Sequence, residues 1–349
     1  AMHPDRPILF TVTSRYGKEM AQRRLGDVVD AICFSPLDLP WFCRRFLRRV
    51  RPALYLMIET DLWPNLVRLA KGSGARVVVA SGHAGPRSFP RPFWRAVFAH
   101  VDRFWMQSPT DAENLVRRGA DPARVETAGN LKFDAAVQAA PQGGREEIAR
   151  EFGFDPGRPL WVAGSVLPED EAPVLDAVAA LRREGIALQA LVAPRRQERV
   201  AAVLAACVAR GLDAVRRTEA RPGDLVVLDT MGELARAYAP ASAAYVGGGL
   251  TPEVGLHNLL EPLVCGVPVL FGPHRGKAAR VAGQVLTARA GVEIADGATL
   301  VPALRELLTD EVRREEMVGA GAALLERHRG AAERIARHLD ELPVPGATR

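Results

Sequence analysis

Short apolar runs of strand length alternate with amphipathic helical runs along almost all of this 349-residue chain. Before residue 130 the strand candidates are PILFTVT, AICFSP, PALYLMIE, RVVVASG, RFWMQS and RVETAG; after residue 155 they are PLWVAGS, ALQALVAP, LVVLDT, SAAYVGG, VPVLFGP and GVEIA. Between them lie runs such as TDAENLVRRG and EDEAPVLDAVAALRREG. Strands that alternate with helices imply α/β architecture, with parallel sheets covered by helices on both faces. AAVQAAPQGGREE carries Pro and paired Gly and reads as a linker. Two doubly wound, Rossmann-like domains, residues 1–140 and 141–349, are therefore expected to face a cleft. Ligands in such sheets sit beyond the carboxyl ends of the strands. The last helical stretch, DEVRREEMVGAGAALLERHRGAAERIARHLDEL, is expected to return toward the first domain, and PVPGATR reads as a loose tail.

Hydrophobic residues make up 48% of the chain and charged residues 25%, the balance of a globular protein with a sizeable core in each half. No uninterrupted apolar run is long enough to span a bilayer, and AMHPDRPILF shows no signal-peptide pattern. Four scattered cysteines without a CxxC argue against a disulfide framework or a zinc site and fit a reducing cytoplasm. Up to residue 140 there are 21 Lys and Arg against 13 Asp and Glu; beyond it there are 25 against 28. The basic first half reads either as a surface for an anionic partner or as arginine-rich composition.

DTMGELARAYAPASAAYVGGGLTPEVGLHNLLEP, from Asp229 to Pro262, holds two glycine-containing strand-to-helix turns. In the first, Thr230 reads as an N-cap, and Met231, Gly232 and Glu233 open a helix whose free N–H groups suit a phosphate. A plain capped helix is the alternative. In the second, Gly247, Gly248 and Gly249 permit close approach of a ligand, but the spacing to Gly255 does not fit a dinucleotide fingerprint. His257, Asn258 and Glu261 then share a helical face at i, i+3 and i+4 spacing. A carboxylate there accepts hydrogen bonds from a pair of sugar hydroxyls, or simply sits at a solvated helix start. Arg195 and Arg196 follow a strand and suit a carboxylate or phosphate, or form a solvated pair. Glu59 ends another strand, where an acid does base work or satisfies a helix dipole. Lys132 falls near the expected hinge. WFCRRFLRRVRP sets Trp41 and Phe42 beside Arg44, Arg45, Arg48 and Arg49, as a membrane-surface helix or as one packed on the sheet.

ETDLWPN, GNLKFD, DTMGEL, HNLLEP and PVLFGPH, in this order, together with QSPTDAENLVRRGA, resemble the 3-deoxy-D-manno-octulosonic acid (Kdo) transferases of lipopolysaccharide synthesis over nearly the whole chain. The resemblance implies a GT-B glycosyltransferase that moves Kdo from CMP-Kdo to a lipid A precursor, peripherally bound at the cytoplasmic face of the inner membrane. It implies no metal, no cofactor beyond the donor substrate and no nucleic-acid partner. It places Arg195 on the nucleotide or Kdo charge, Met231, Gly232 and Glu233 at the CMP phosphate, and Asn258 and Glu261 on donor hydroxyls. It also implies a first strand ending in a Gly-Glu turn that carries the base. The sequence begins after that point, so a first domain short of one strand, Glu59 as the remaining base and slow transfer are expected. SGHAGPRS, SVLPEDE, PRRQER, GLHN and RGKA depart from the family pattern. These departures leave a different nucleotide sugar, or non-catalytic binding of nucleotide or lipid, as alternatives.

Overall fold

A strand that is apolar on both faces needs cover on both. RVVVASG meets that description: Val77 and Val79 pack with Leu66, Val97 and Phe104, while Val78 and Ala80 face Trp105, Ala128 and Ile335. The computed structural model describes residues 6–85 and 91–343, so part of SGHAGPRS and the tail from residue 344 lie outside the described residues. The chain divides into two compact units, Ala1–Leu131 with Gly330–Arg349, and Lys132–Arg329. The first holds β1 (Leu9–Val12), β2 (Ala31–Phe34), β3 (Leu54–Ile58), β4 (Arg76–Gly82), β5 (Arg103–Met106) and β6 (Val125–Thr127). All pair in parallel, as a β1-β2 sheet and a separate β3-β4-β5-β6 sheet. Asp38, just after β2, accepts from the Asn65 and Leu66 N–H groups at 3.2 and 2.8 Å and so fixes the helix Pro64–Gly72 that follows β3.

The expected linker is partly helical, because Leu131–Gln138 and Arg145–Glu151 run into it. Phe133 is fully buried with Val246, Leu259 and Phe271, which draws its helix into the second unit and moves the division from residue 140 to Leu131/Lys132. The last helical stretch is two helices. Gly330, at φ 77, separates Glu311–His328 from Ala331–Glu341. The latter belongs to the first unit: Ile335 packs on Val78 and Trp105, His338 stacks on Trp105 at 5.4 Å, and Arg334 Nε donates to the Ala128 carbonyl at 2.9 Å.

The second unit contains β7 (Leu160–Val166), β8 (Gln189–Pro194), β9 (Val215–Arg216), β10 (Leu225–Val227), β11 (Ala243–Val246), β12 (Val269–Phe271) and β13 (Gly291–Glu293). They form one parallel sheet in the order β13-β12-β11-β7-β8-β10-β9. β9 escapes sequence reading because two residues carry no periodicity. Trp161 and Ala163 face a layer with Val174, Val178 and Leu304; Leu160 and Val162 face Ile148, Phe154 and Tyr238. Strand order reverses at β7, so the crevice beyond the ends of β7, β8 and β11 is the topological switch point where such sheets bind ligands.

One buried carboxylate organises that crevice. Asp170 is fully buried near the start of helix Pro168–Arg183. It accepts from the Leu167 N–H at 2.9 Å, the Gly248 N–H at 2.8 Å and the Tyr245 hydroxyl at 2.7 Å. The end of β7, the helix start and the glycine loop after β11 are thereby held together. Asp170→Ala strands three buried donors. It is expected to destabilise the protein by about 3 kcal/mol, read as a lower urea midpoint, with Asp170→Asn intermediate. An unchanged midpoint for Asp170→Ala would contradict this role.

Candidate functional site

The end of β8 delivers two arginines to the switch point. The Arg195 N–H donates to the Val166 carbonyl at 2.8 Å, tying β8 to the end of β7, and the Arg195 and Arg196 side chains are exposed. Arg199, in the same PRRQER segment, is committed elsewhere: its guanidinium grips Glu171 at 2.9 and 2.7 Å. Gln197 Nε2 donates to the Thr230 carbonyl at 3.2 Å and so links this segment to the turn after β10.

That turn differs from the expected helix start. The helix covers only Leu234–Ala237, a single turn that lacks the summed dipole of a long helix. Met231, Gly232 and Glu233 precede it as irregular backbone, and Thr230 is not its cap. Instead the Thr230 hydroxyl donates to the Glu233 carboxylate, which also receives Arg217 Nη2 at 3.2 Å. Glu233 is therefore a strut of the turn. Gly232 has φ 89 with open space where a Cβ would stand, and Met231 is 79% exposed. The backbone here is open to a ligand without a helix N-terminus.

The second turn is also corrected. Its helix is Leu260–Val264, so His257 and Asn258 lie before it and share no helical face with Glu261. Asn258 bridges the junction: Nδ2 donates to Glu261 Oε1 at 3.1 Å, and Oδ1 accepts from the Leu260 N–H at 3.1 Å. Gly248, at φ 89, and Gly249 have no room for a side chain; a Cβ would meet the Gly255 carbonyl oxygen at 2.4 Å and the Gly272 nitrogen at 2.7 Å respectively. Both glycines are buried, so they shape the loop beneath the crevice. The His257 N–H donates to the Gly247 carbonyl at 3.3 Å, and its Nε2 is buried with no hydrogen-bond partner among the described residues. Burial, with Arg195 adding to it, holds this imidazole below its usual range, against a weaker pull from Asp170. Burial pushes the Glu261 carboxyl up, opposed by the Asn258 amide.

Arg195, His257, Asn258 and Glu261 thus combine an exposed cation, a neutral imidazole and a sheltered carboxylate within one unit. That set can recognise an anion next to a pair of hydroxyls. Sequence reading missed Asp170, Gln197 and the Ser165 backbone, which is left-handed at φ 54 where β7 ends. The acid of SVLPEDE four residues past the strand end, three past Leu167 at the helix start, was a legible signal for Asp170. Nothing local announced the other two.

In the first unit, Glu59 follows β3 half-buried at φ 64, its N–H donating to the Ala80 carbonyl at 2.8 Å. Lys132 is exposed on the helix Leu131–Gln138. Helix Pro40–Val50 buries Cys43 and Leu47 and leaves Trp41, Phe42, Arg44, Arg45, Arg48 and Arg49 exposed. Leu37 and Leu39, just before it, are exposed too. The Trp41 and Phe42 rings meet edge-on at 5.0 Å, and Arg45 lies over Trp41 at 5.7 Å.

Residues 1–135 match the family described as 3-deoxy-D-manno-octulosonic-acid transferase (kdotransferase). A 3-deoxy-D-manno-octulosonic acid transferase of Bordetella pertussis is 30% identical over 352 residues, covering 96% of this chain and 81% of that one. Its counterpart in Chlamydophila psittaci is 30% identical over 342 residues, covering 95% and 77%. Among solved structures, a UDP-GlcNAc 2-epimerase from Neisseria meningitidis aligns with TM-score 0.64 at 10% identity, covering 96% of this chain and 92% of that one. A glycosyltransferase from Rickettsia africae aligns with TM-score 0.63 at 9% identity, covering 96% and 89%. At such identities these two structures speak to the GT-B fold alone.

Proposed function

The chain belongs to the 3-deoxy-D-manno-octulosonic acid transferase family, and from that premise we propose that it transfers Kdo from CMP-Kdo to a lipid A precursor. The observation that carries this reading is the convergence of Arg195, His257, Asn258 and Glu261 on the switch point of the second unit. Arg195 and Arg196 meet the negative charge of the phosphate or the sugar acid. The open backbone at Met231 and Gly232 offers N–H groups to the phosphate, and Glu261, oriented by Asn258, accepts the ribose hydroxyls. Direct transfer then needs a base for the acceptor hydroxyl and stabilisation of the departing phosphate. The base is assigned to the first unit, where sequence position points to Glu59.

The acceptor side follows from the helix Pro40–Val50. No described helix is long and apolar enough to cross a membrane. An exposed Trp41–Phe42 pair flanked by four exposed arginines suits the surface of an anionic bilayer that displays a phosphorylated lipid. On this reading we assign the protein to the periphery of the inner membrane, on its cytoplasmic face. Lys132, at the boundary between the units, is assigned to the hinge.

Calorimetry should show CMP binding more tightly than UMP or NADH, with Glu261→Ala weakening CMP by roughly 1.5–3 kcal/mol. Because burial raises the Glu261 carboxyl, its ionised form is lost sooner on acidification than an ordinary carboxylate. CMP affinity should therefore fall as pH drops, and Glu261→Gln should flatten that slope. Preference for NADH would overturn the reading. Vesicles containing phosphatidylglycerol should sediment the protein in low salt, each arginine adding about 1 kcal/mol. Binding indifferent to salt and to charge reversal of Arg44, Arg45, Arg48 and Arg49 would refute the membrane assignment.

A further inference from the structure

Three successive helices of the first unit, Pro40–Val50, Pro64–Gly72 and Arg91–Phe98, form one layer: Cys43 and Leu47, Leu66 and Val67, and Val97 and Phe98 share a core with Val77 and Val79. The last two follow β3 and β4, which are parallel neighbours, so both start at the strand-carboxyl rim. The first starts beside them, because Asp38, in the segment that enters it, accepts from the Asn65 and Leu66 N–H groups at the start of the second. What these starts display is apolar. Leu37, Leu39, Trp41 and Phe93 each expose more than half of their surface, and Phe42 and Trp63 more than a third. A helix start ordinarily favours Ser, Thr, Asp or Asn at the capping position and an acid in the first turn. Elsewhere in this unit Ser14 and Ser108 cap their helices through the hydroxyl. Here Leu39 and Trp63 occupy the capping positions without a side-chain bond, and none of the three helices has an acid in its first turn. Polar residues would serve local stability better, so the apolar ones answer to something outside the fold.

We infer that the first unit enters an anionic bilayer by the starts of these three helices, with Leu37, Leu39, Trp41, Phe42, Trp63 and Phe93 at the boundary of the acyl chains; the inference deepens the membrane reading above and rests on it. Charge selects this partner. The three helices together carry eight basic residues and no acid. The segments that lead into them carry three acids: Asp38, whose two carboxylate oxygens are occupied by backbone N–H groups, and Glu59 and Asp61 just after β3. Basic residues behind an apolar tip suit an anionic lipid surface, since the tip loses water while the cations stay at headgroup depth. Arg44 and Arg45 begin about 6 Å along their helix, clear of the acyl chains. The tip is also preorganised. Asn65 Nδ2 donates to the Asp38 carbonyl at 2.8 Å, which locks the segment from Leu37 to Leu39 onto the second helix. Pro40 and Pro64 fix the backbone in the first turn of their helices. The strand-carboxyl rim, where ligands of such sheets bind, then opens at the bilayer surface, and a lipid acceptor meets it without leaving the membrane.

Trp105 and Trp161 are fully buried, so the exposed tryptophans report on contact with lipid. Vesicles of phosphatidylglycerol mixed with a phosphatidylcholine brominated on its acyl chains should quench the fluorescence of the full chain. The quenched fraction should fall in Trp41→Phe and fall again in Trp63→Phe. Quenching unaltered by Trp63→Phe would overturn the inference and leave the membrane reading standing; no vesicle binding at all would overturn both. Trp63→Ser and Phe93→Ser should each weaken sedimentation with phosphatidylglycerol vesicles about fivefold or more at an unchanged urea midpoint. Leu39→Ser separates docking from packing. Serine caps a helix better than leucine, so the urea midpoint should rise while vesicle binding falls. A lower midpoint with vesicle binding intact would return Leu39 to a packing role and contradict the inference. So would a dimer that forms with rising protein concentration and is abolished by Phe93→Ser, which would give the surface to a second copy of this chain. CMP affinity should be the same in every variant. A chain that fails to bind CMP yet passes the quenching test overturns the transfer reading and leaves this one in place.

Discussion

The second unit depends on Asp170, a buried side chain whose carboxyl oxygens accept three hydrogen bonds out of contact with water. A buried carboxylate without a cationic partner is tolerated only when donors satisfy it. Here the Leu167 N–H, the Gly248 N–H and the Tyr245 hydroxyl do so, and each lies on a different segment that must keep its place. The glycine loop can then sit flat against the strand ends, Gly249 against Gly272, and the polar residues that follow project from a fixed base. Specific recognition of a nucleotide requires such a base, since binding groups that must first be ordered lose affinity.

Much of the architecture was legible in the sequence because it rests on local rules. Strands apolar on both faces, and amphipathic runs between them, dictate parallel sheets covered on both sides. β7 and β4 obey that rule residue by residue. The helix starts were less legible. Met231, Gly232 and Glu233 look like a first helical turn, yet Glu233 is claimed by Arg217 and Thr230, and the helix shrinks to Leu234–Ala237. His257 and Glu261 have helical spacing, but the chain stays irregular until Leu260. Tertiary partners decided both cases, and spacing alone cannot see them.

The site residues divide the same way. Arg195, Asn258 and Glu261 could be picked out because charged or amide side chains stood at strand ends or beside glycines. Asp170 carried a legible local signal, whereas Gln197 could not be ranked without knowing which loops meet. In both units a left-handed residue sits at or near a strand end, Ser165 as the penultimate residue of β7 and Glu59 just after β3.

The account stands on the placement of the donor at the switch point of the second unit. Hydrogen–deuterium exchange with and without CMP tests that placement most directly. Amides from 229 to 234 and from 254 to 261 should gain protection when CMP binds, and β1 to β6 should not. Protection confined to the first unit, or saturating CMP that leaves both of those segments unchanged, would contradict it.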